Sequence, residues 1–519
     1  MSLALFLHQL HREIEKLQPP DWEVDWDDAP HPYKLYRGLP VVPLSAEVPL
    51  TLRESKVPQE PDLQDIGHFL WYVYGLTQYS PSIDSDAFSQ AQRMRRFVPS
   101  GGALYPNEFY VYLKVKGLPV GMYHYDVAHH RLVLLREGNI DTYLAQALGD
   151  RCQVSACFGT VFVSTLFWKN FFKYNNFSYR LQGLDAGVLI GQLLEVGKRF
   201  GFSAGIYFRF LDRAVNHLLG LDETEESVYA VIPLTIQPAI TWFADHTGER
   251  ISASQLCREL PEIHHHYVQR SHRVKAYPRL IEINEASMLE TLSPFNGVET
   301  KRGIETEGEK IPLPTADRLT YDLAEVCRKR VSPGLDFVFQ KKDREQLAAL
   351  LFEVTASLPY RNDLDEGREN PDFRLSLLGC FYGVEGVAKG AYHYDHTSHS
   401  LHRIRSGDYR YPLQQGMSFP TVNLLQVPFC LHIAGEQDHY LPQLGYRGYR
   451  IQQMEAGILL QRLLLTAGAL GMGGHPLLGF DGSRCDQLYK LAPQKKTTLI
   501  QIPVGPYRIR PRLGGGLHC

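Results

Sequence analysis

Residues 99–102 read Pro-Ser-Gly-Gly. A turn of this kind lets backbone approach a flat ligand closely, because glycine has no Cβ in the way. As a plain tight turn it would need no ligand at all. A second group with chemical potential is Arg328-Lys329-Arg330-Val331-Ser332. Guanidinium forks and a hydroxyl suit a phosphate, and charge-assisted bonds to phosphate are the strong kind. Read in isolation, the same run is a solvated basic helix end.

The elements that must hold these groups occur twice. Tyr123-His-Tyr125-Asp126 returns as Tyr392-His-Tyr394-Asp395, Tyr179-Arg180 as Tyr449-Arg450, Ala186-Gly187 as Ala456-Gly457, and Ile232-Pro233 as Ile502-Pro503. The spacing stays near 270 residues, so a whole domain is duplicated in tandem. Each copy reads as a helix (65–75; 344–358), a strand (109–115; 374–382), a Tyr-rich strand, and an alternating apolar strand (159–166; 427–434). A long helix follows (186–200; 456–470) and ends at Gly201 or Gly471, as helix C-termini commonly do. A last strand spans 227–233 or 497–503. Strands mixed with helices, without regular βαβ alternation, predict an α+β fold. The expected organisation is an N-terminal extension (1–48), a first domain (49–240), a join (241–319) with an exposed loop over 296–310, and a second domain (320–519).

The chain has 519 residues and a formal net charge of −3, so bulk electrostatics favours neither nucleic acid nor an anionic membrane. Residues 1–17 predict a surface amphipathic helix, since charge comes too early for a signal peptide. No apolar run reaches membrane-spanning length. The eight cysteines form no Cys-x-x-Cys pair, and a reducing cytoplasm with free thiols is expected. His264-His-His266 lacks surrounding ligand spacing, so no metal is expected.

Together, Pro99 to Pro106, the Tyr-His-Tyr-Asp strand, and Lys173-Tyr174 followed by Tyr179-Arg180 resemble the SagB/ThcOx-type dehydrogenases. These azoline oxidases, cyanobactin oxidases among them, belong to the FMN-dependent nitroreductase superfamily. The resemblance implies two nitroreductase-like domains forming a pseudo-dimer within one chain, with FMN as cofactor. In that family FMN sits at a dimer interface. One side supplies an Arg-x-Ser phosphate grip, a Gly-rich turn after the long helix and basic residues near the end of the domain. The other supplies the Pro-Ser turn.

Here the two halves have lost complementary parts. The second keeps Arg328, Arg330 and Ser332, then Gly471, Gly473 and Gly474, then Arg508 and Arg510. The first alone keeps Pro99, Ser100, Gly101 and Gly102. One composite FMN site per chain is expected. The resemblance marks Lys173 and Tyr174 as the catalytic pair, where the second half has Gln443-Leu444. Desaturating a thiazoline or oxazoline removes a hydride and a proton from neighbouring ring carbons, and the proton needs a base. An adjacent ammonium favours tyrosinate, which points to Tyr174 tuned by Lys173; a buried, neutral lysine keeps the reverse assignment open. Phe167, Trp168, Phe171 and Phe172 either line an apolar pocket or pack the core. The implied partners are a heterocyclised precursor peptide and a cyclodehydratase of the same pathway, with further homodimerisation open. The alternatives are an NAD(P)H-dependent nitro- or enone reductase, an FMN dehydrogenase of a non-ribosomal small molecule, and a non-catalytic binding partner.

Overall fold

The computed structural model describes residues 2–17, 19–57, 59–79, 94–237, 240, 242–244, 251–293, 295, 297–299, 304, 308–356, 360–365, 373–509 and 515–516. The first half contains β1 (Val41–Pro43), β2 (Gln78–Tyr79), β3 (Met94–Arg95), β4 (Asn107–Leu113), β5 (Gly121–Asp126), β6 (Arg131–Glu137), β7 (Gly159–Leu166), β8 (Ser203–Ala204) and β9 (Glu226–Thr235). The second contains β10 (Lys310–Pro312), β11 (Ser376–Phe381), β12 (Gly390–Asp395), β13 (Ser400–Ser406), β14 (Phe429–Glu436), β15 (Gly473–Gly474), β16 (Lys496–Gly505) and β17 (Gly515–Gly516).

Two seven-stranded antiparallel sheets result, ordered β1-β6-β5-β4-β7-β9-β8 and β10-β13-β12-β11-β14-β16-β15. The second order repeats the first strand for strand. Even the register shifts recur, at Met122/Tyr123 and Ala391/Tyr392, and at Val163/Ser164 and Ile433/Ala434. The fold is α+β with two tandem nitroreductase-like domains. The edge strands β1 and β10 begin before residues 49 and 320, so the extension and the join each complete a sheet. β17 crosses back to pair with β2. Much of the expected 296–310 loop lies outside the described residues.

Each domain sets one long helix against its sheet, Ser178–Phe200 and Arg447–Ala469, and these two central helices pack on each other. Both start eight or nine residues before the spans predicted from sequence. The missed turns carry Arg180, Gln182, Arg447, Arg450 and Gln453, polar residues that the fold buries and that hide the apolar period. Gly201 (φ 71°) and Gly471 (φ 70°) end the helices in the left-handed conformation that glycine adopts without strain.

A pseudo-twofold axis runs between the central helices. Tyr179 and Tyr449 stack with ring centroids 5.7 Å apart, and Gln461 Nε2 donates to Gln192 Oε1 at 2.8 Å. Arg180 reaches Leu499 O in the opposite half, and Arg450 reaches Asp212 of the first. The repeated Tyr-Arg motif is therefore a domain clamp. The repeated glycines explain the close approach: a Cβ on Gly187 would overlap the Met454 carbonyl, and one on Gly457 the Leu184 carbonyl. Gly187→Val is expected to lower stability by about 1–3 kcal/mol, since overpacking against backbone cannot be relieved by a rotamer change. Gly197→Ala serves as the control, because its Cβ would meet only ordinary contacts at 3.7 Å and beyond. A fall in the denaturation midpoint of the first variant, but not the second, checks this.

Candidate functional site

The Pro99–Gly102 turn is fixed from the central helix of its own domain. Ser100 Oγ donates to Asp185 Oδ2 at 2.6 Å, and the Gly101 N–H donates to both carboxylate oxygens at 3.2 Å. Tyr105 N–H donates to Ser100 Oγ at 2.9 Å and closes the turn. Gly102 sits at φ 63°, where a side chain would be strained. Asp185 was not singled out from sequence. The signal was present, since an acid precedes Ala-Gly in both copies, at Asp185 and Glu455.

Burial pushes the Asp185 carboxyl up to about 7, against the pull of the Ser100 and Gly101 hydrogen bonds. A carboxyl raised above its unfolded value stabilises the fold fully below the unfolded pKa of about 3.9 and loses that contribution as pH rises through the folded one. Stability is therefore expected to fall between about pH 4 and 7, with a slope that Asp185→Asn removes. Thermal unfolding of both proteins across that range checks it.

Lys173 and Tyr174 close the short helix Trp168–Tyr174 and come together over this turn. A Cβ placed on Gly102 would overlap the Tyr174 hydroxyl and lie 3.0 Å from Lys173 Nζ. Nζ lies 4.9 Å from the Tyr174 ring centroid. Neither Nζ nor the phenol oxygen has a hydrogen-bond partner among the described residues. Burial lowers the Lys173 pKa. Burial, and then the charge of Asp185, raises that of Tyr174. These directions run against tyrosinate at Tyr174 and toward a neutral amine at Lys173, the reverse of the assignment favoured from sequence. Adjacency in sequence suggested an ammonium tuning a phenol; burial acts on both groups and disfavours either charge. Phe167, Phe171 and Phe172 are buried in the main core, whereas Trp168 also lines a pocket beside Lys34, Lys169 and Tyr267.

Of the second-half residues, Arg330 reaches the segment that leads into the turn. Arg330 crosses from its helix end and donates through Nε to Phe97 O at 2.6 Å, two residues before Pro99. Its Nη groups have no hydrogen bond among the described residues, and burial lowers its pKa. Ser332 precedes Pro333, which packs on Gly473: a Cβ there would come within 2.5 Å of the proline ring and 2.9 Å of Tyr507. Arg508 N–H donates to Asp336 O at 2.9 Å, which ties the end of β16 to the same segment, and its side chain is exposed. Gly474 packs on Leu464 of the central helix. Gly471 ends that helix as Gly201 does in the other half, a capping role common to both. Arg328 is turned away and bonds Leu50 O at 2.8 Å. Arg510 lies outside the described residues.

The pseudo-equivalent position is built differently. Glu455, the counterpart of Asp185, accepts from Arg374 Nε at 2.6 Å and from Tyr440 at 2.9 Å. Asp363 accepts from Phe208 N and Arg209 N, both at 2.9 Å, and pairs with Arg151. Trp242 lies directly on Gly205. Arg374 thus holds Glu455 where Ser100 and Gly101 bind Asp185 in the first half.

The model of the nitroreductase family matches residues 58–234 and 388–506, one stretch in each half. The chain belongs to the nitroreductase family. It is 30% identical over 192 residues to the trifolitoxin-processing protein TfxB of Rhizobium leguminosarum bv. trifolii, covering 35% of this chain and 49% of that protein. It thus spans about half the length of that relative. The nitroreductase-like MJ1384 of Methanocaldococcus jannaschii is 23% identical over 196 residues, 38% of this chain and 96% of its own. Among solved structures, a nitroreductase-like chain of Anabaena variabilis ATCC 29413 matches with a TM-score of 0.72 at 23% identity, over 98% of this chain and 100% of that one. That likeness extends the fold over both halves of this family member. No described helix is long and apolar enough to cross a membrane.

Proposed function

We propose that this nitroreductase-family protein is an FMN-dependent oxidoreductase that converts thiazolines or oxazolines in a heterocyclised peptide to thiazoles or oxazoles. The observation that carries the reading is the convergence of Lys173 Nζ and Tyr174 OH, both without hydrogen-bond partners among the described residues, on the backbone of Gly102. The resemblance to azoline oxidases and the peptide-processing relative support the same class of substrate.

The residues fit FMN. Gly102 has no Cβ, which lets the Tyr174 hydroxyl and Lys173 Nζ come against its backbone, and Leu181 covers Gly101. Arg330 brings a guanidinium from the opposite half whose Nη groups have no hydrogen bond among the described residues, and Ser332 follows two positions later. Arg330 and Ser332 would hold the phosphate, with Arg508 at the rim, and the Pro99–Gly102 turn would lie against the ring. Bound FMN supplies the acceptor for the hydride that leaves the azoline carbon. Lys173, whose pKa burial lowers, takes the proton from the adjacent carbon at Nζ in its neutral form. Tyr174, kept protonated, donates a hydrogen bond from its hydroxyl and orients the ring. Asp185 holds the turn through Ser100 and Gly101. The substrate loses a hydride and a proton, and dioxygen takes up two electrons and two protons to give hydrogen peroxide. A cyclodehydratase that makes the azoline is the natural partner.

The test is incubation of the FMN-loaded chain with an azoline-containing peptide under air, followed by mass spectrometry and a peroxide assay. Loss of two hydrogens per ring with one peroxide formed is expected. Rapid flavin bleaching by NADPH with no change in the peptide would replace this reading with a reductase.

A further inference from the structure

The N-terminal extension runs across the helix that carries Lys173 and Tyr174. Trp22 meets Phe171 edge-on at 5.6 Å and Trp26 meets Phe172 edge-on at 5.4 Å. The strap is tied down along its length. Asn176 Nδ2 donates to Leu17 O at 3.3 Å. The Asp28 carboxylate accepts from His272 N and Arg273 N, both at 2.8 Å. Ser271 Oγ donates to Asp28 O at 2.7 Å and accepts from Trp168 Nε1 at 2.9 Å. This anchoring places the Trp26 ring centroid 5.3 Å from Lys173 Nζ. Lys173, half-buried, is thus flanked by Trp26, Tyr174 and Gly102, from the extension, its own helix and the turn.

Resting on the function proposed above, we propose that Trp26 is a positioning residue of this site: its indole shields Lys173 from water and holds Nζ toward Gly102 and Tyr174. The ring face attracts an ammonium by roughly 0.5–1 kcal/mol, which taken alone would favour the charged lysine. Loss of water acts the opposite way, and burial lowers the Lys173 pKa. The charged groups on the surrounding elements are otherwise engaged. Lys169, on the same helix, pairs with Glu108. Asp185, on the central helix, holds Ser100 and Gly101. On the strap, Asp25 pairs with Arg273 and Asp28 takes the two backbone N–H groups. Lys275 of the join stands over Trp22.

The experiment uses the full chain. Trace acetic anhydride labels amines only in their neutral form, and peptide mass spectrometry follows Lys173 across pH. In Trp26→Ala the labelling midpoint is expected to rise by about one pH unit, and Trp26→Phe to restore it. Azoline turnover at neutral pH should fall about tenfold in the alanine variant and recover at higher pH, with KM little changed. A midpoint that stays in place in Trp26→Ala, or one that phenylalanine does not restore, overturns the proposal. Trp26→Gln is labelled in parallel. Loss of fold in both Trp26→Ala and Trp26→Gln, judged by circular dichroism, is also a contrary result, because it makes Trp26 purely structural. If the wild type turns over no azoline, the proposed reaction fails while the labelling still decides the role of Trp26.

Discussion

Lys173→Ala is expected to lower azoline turnover by about 10²–10⁴-fold, the usual loss when a general base is removed. Flavin content should not change, because Lys173 contacts the turn and Trp26 rather than the second-half residues around Arg330. Stability should change little, since Nζ has no hydrogen bond to lose among the described residues. The wild-type rate should rise with pH through a pKa below that of an ordinary lysine, because burial favours the neutral amine that accepts the proton. Tyr174→Phe should cost less, about tenfold for one hydrogen bond, and should keep the same rising limb. A rising limb that disappears with Tyr174→Phe and survives Lys173→Ala would return the base to the tyrosine. Steady-state kinetics across pH on the three proteins decides between them.

Arg330→Ala is expected to weaken flavin binding by about 10²-fold, from loss of charge-assisted bonds worth about 1.5–3 kcal/mol. The same substitution removes the 2.6 Å bond to Phe97 O, which joins the second half to the strand leading into Pro99. Arg330→Lys should recover only part of the affinity, because an ammonium cannot make both the Nε bond and a fork. Arg328→Ala is the control. Its guanidinium bonds Leu50 O, so flavin affinity should stay within about twofold, the size of a remote surface change. Fluorescence titration of apo-protein with FMN gives the three constants.

The duplication was legible in sequence because its markers are constrained by contact. Gly187 and Gly457 admit the opposing helix, and Tyr179 and Tyr449 stack on the axis. The last strands and the apolar strand 159–166 were legible because they are buried along their whole length and read as short apolar runs. The central helices were read short, since their first turns bury arginine and glutamine in the domain clamp. Within the site, the turn and the Lys-Tyr pair stood out by residue type. Asp185 did not, because one acid in a long helix has no local signature, and its partner Ser100 lies 85 positions away. Trp26 was equally hidden: its role depends on an extension folding back over a helix more than a hundred residues later. The directions in which the Lys173 and Tyr174 pKa values move could not be read from adjacency, because burial sets them.

The proposed FMN site is single and composite, with the turn from one half and Arg330 and Ser332 from the other. The most direct test is flavin per chain, measured by absorbance after saturation with FMN and removal of excess. One FMN per chain, lost in Arg330→Ala, is the predicted result. Two per chain would contradict the account, since the position around Glu455, Arg374 and Asp363 would then also have to open and bind.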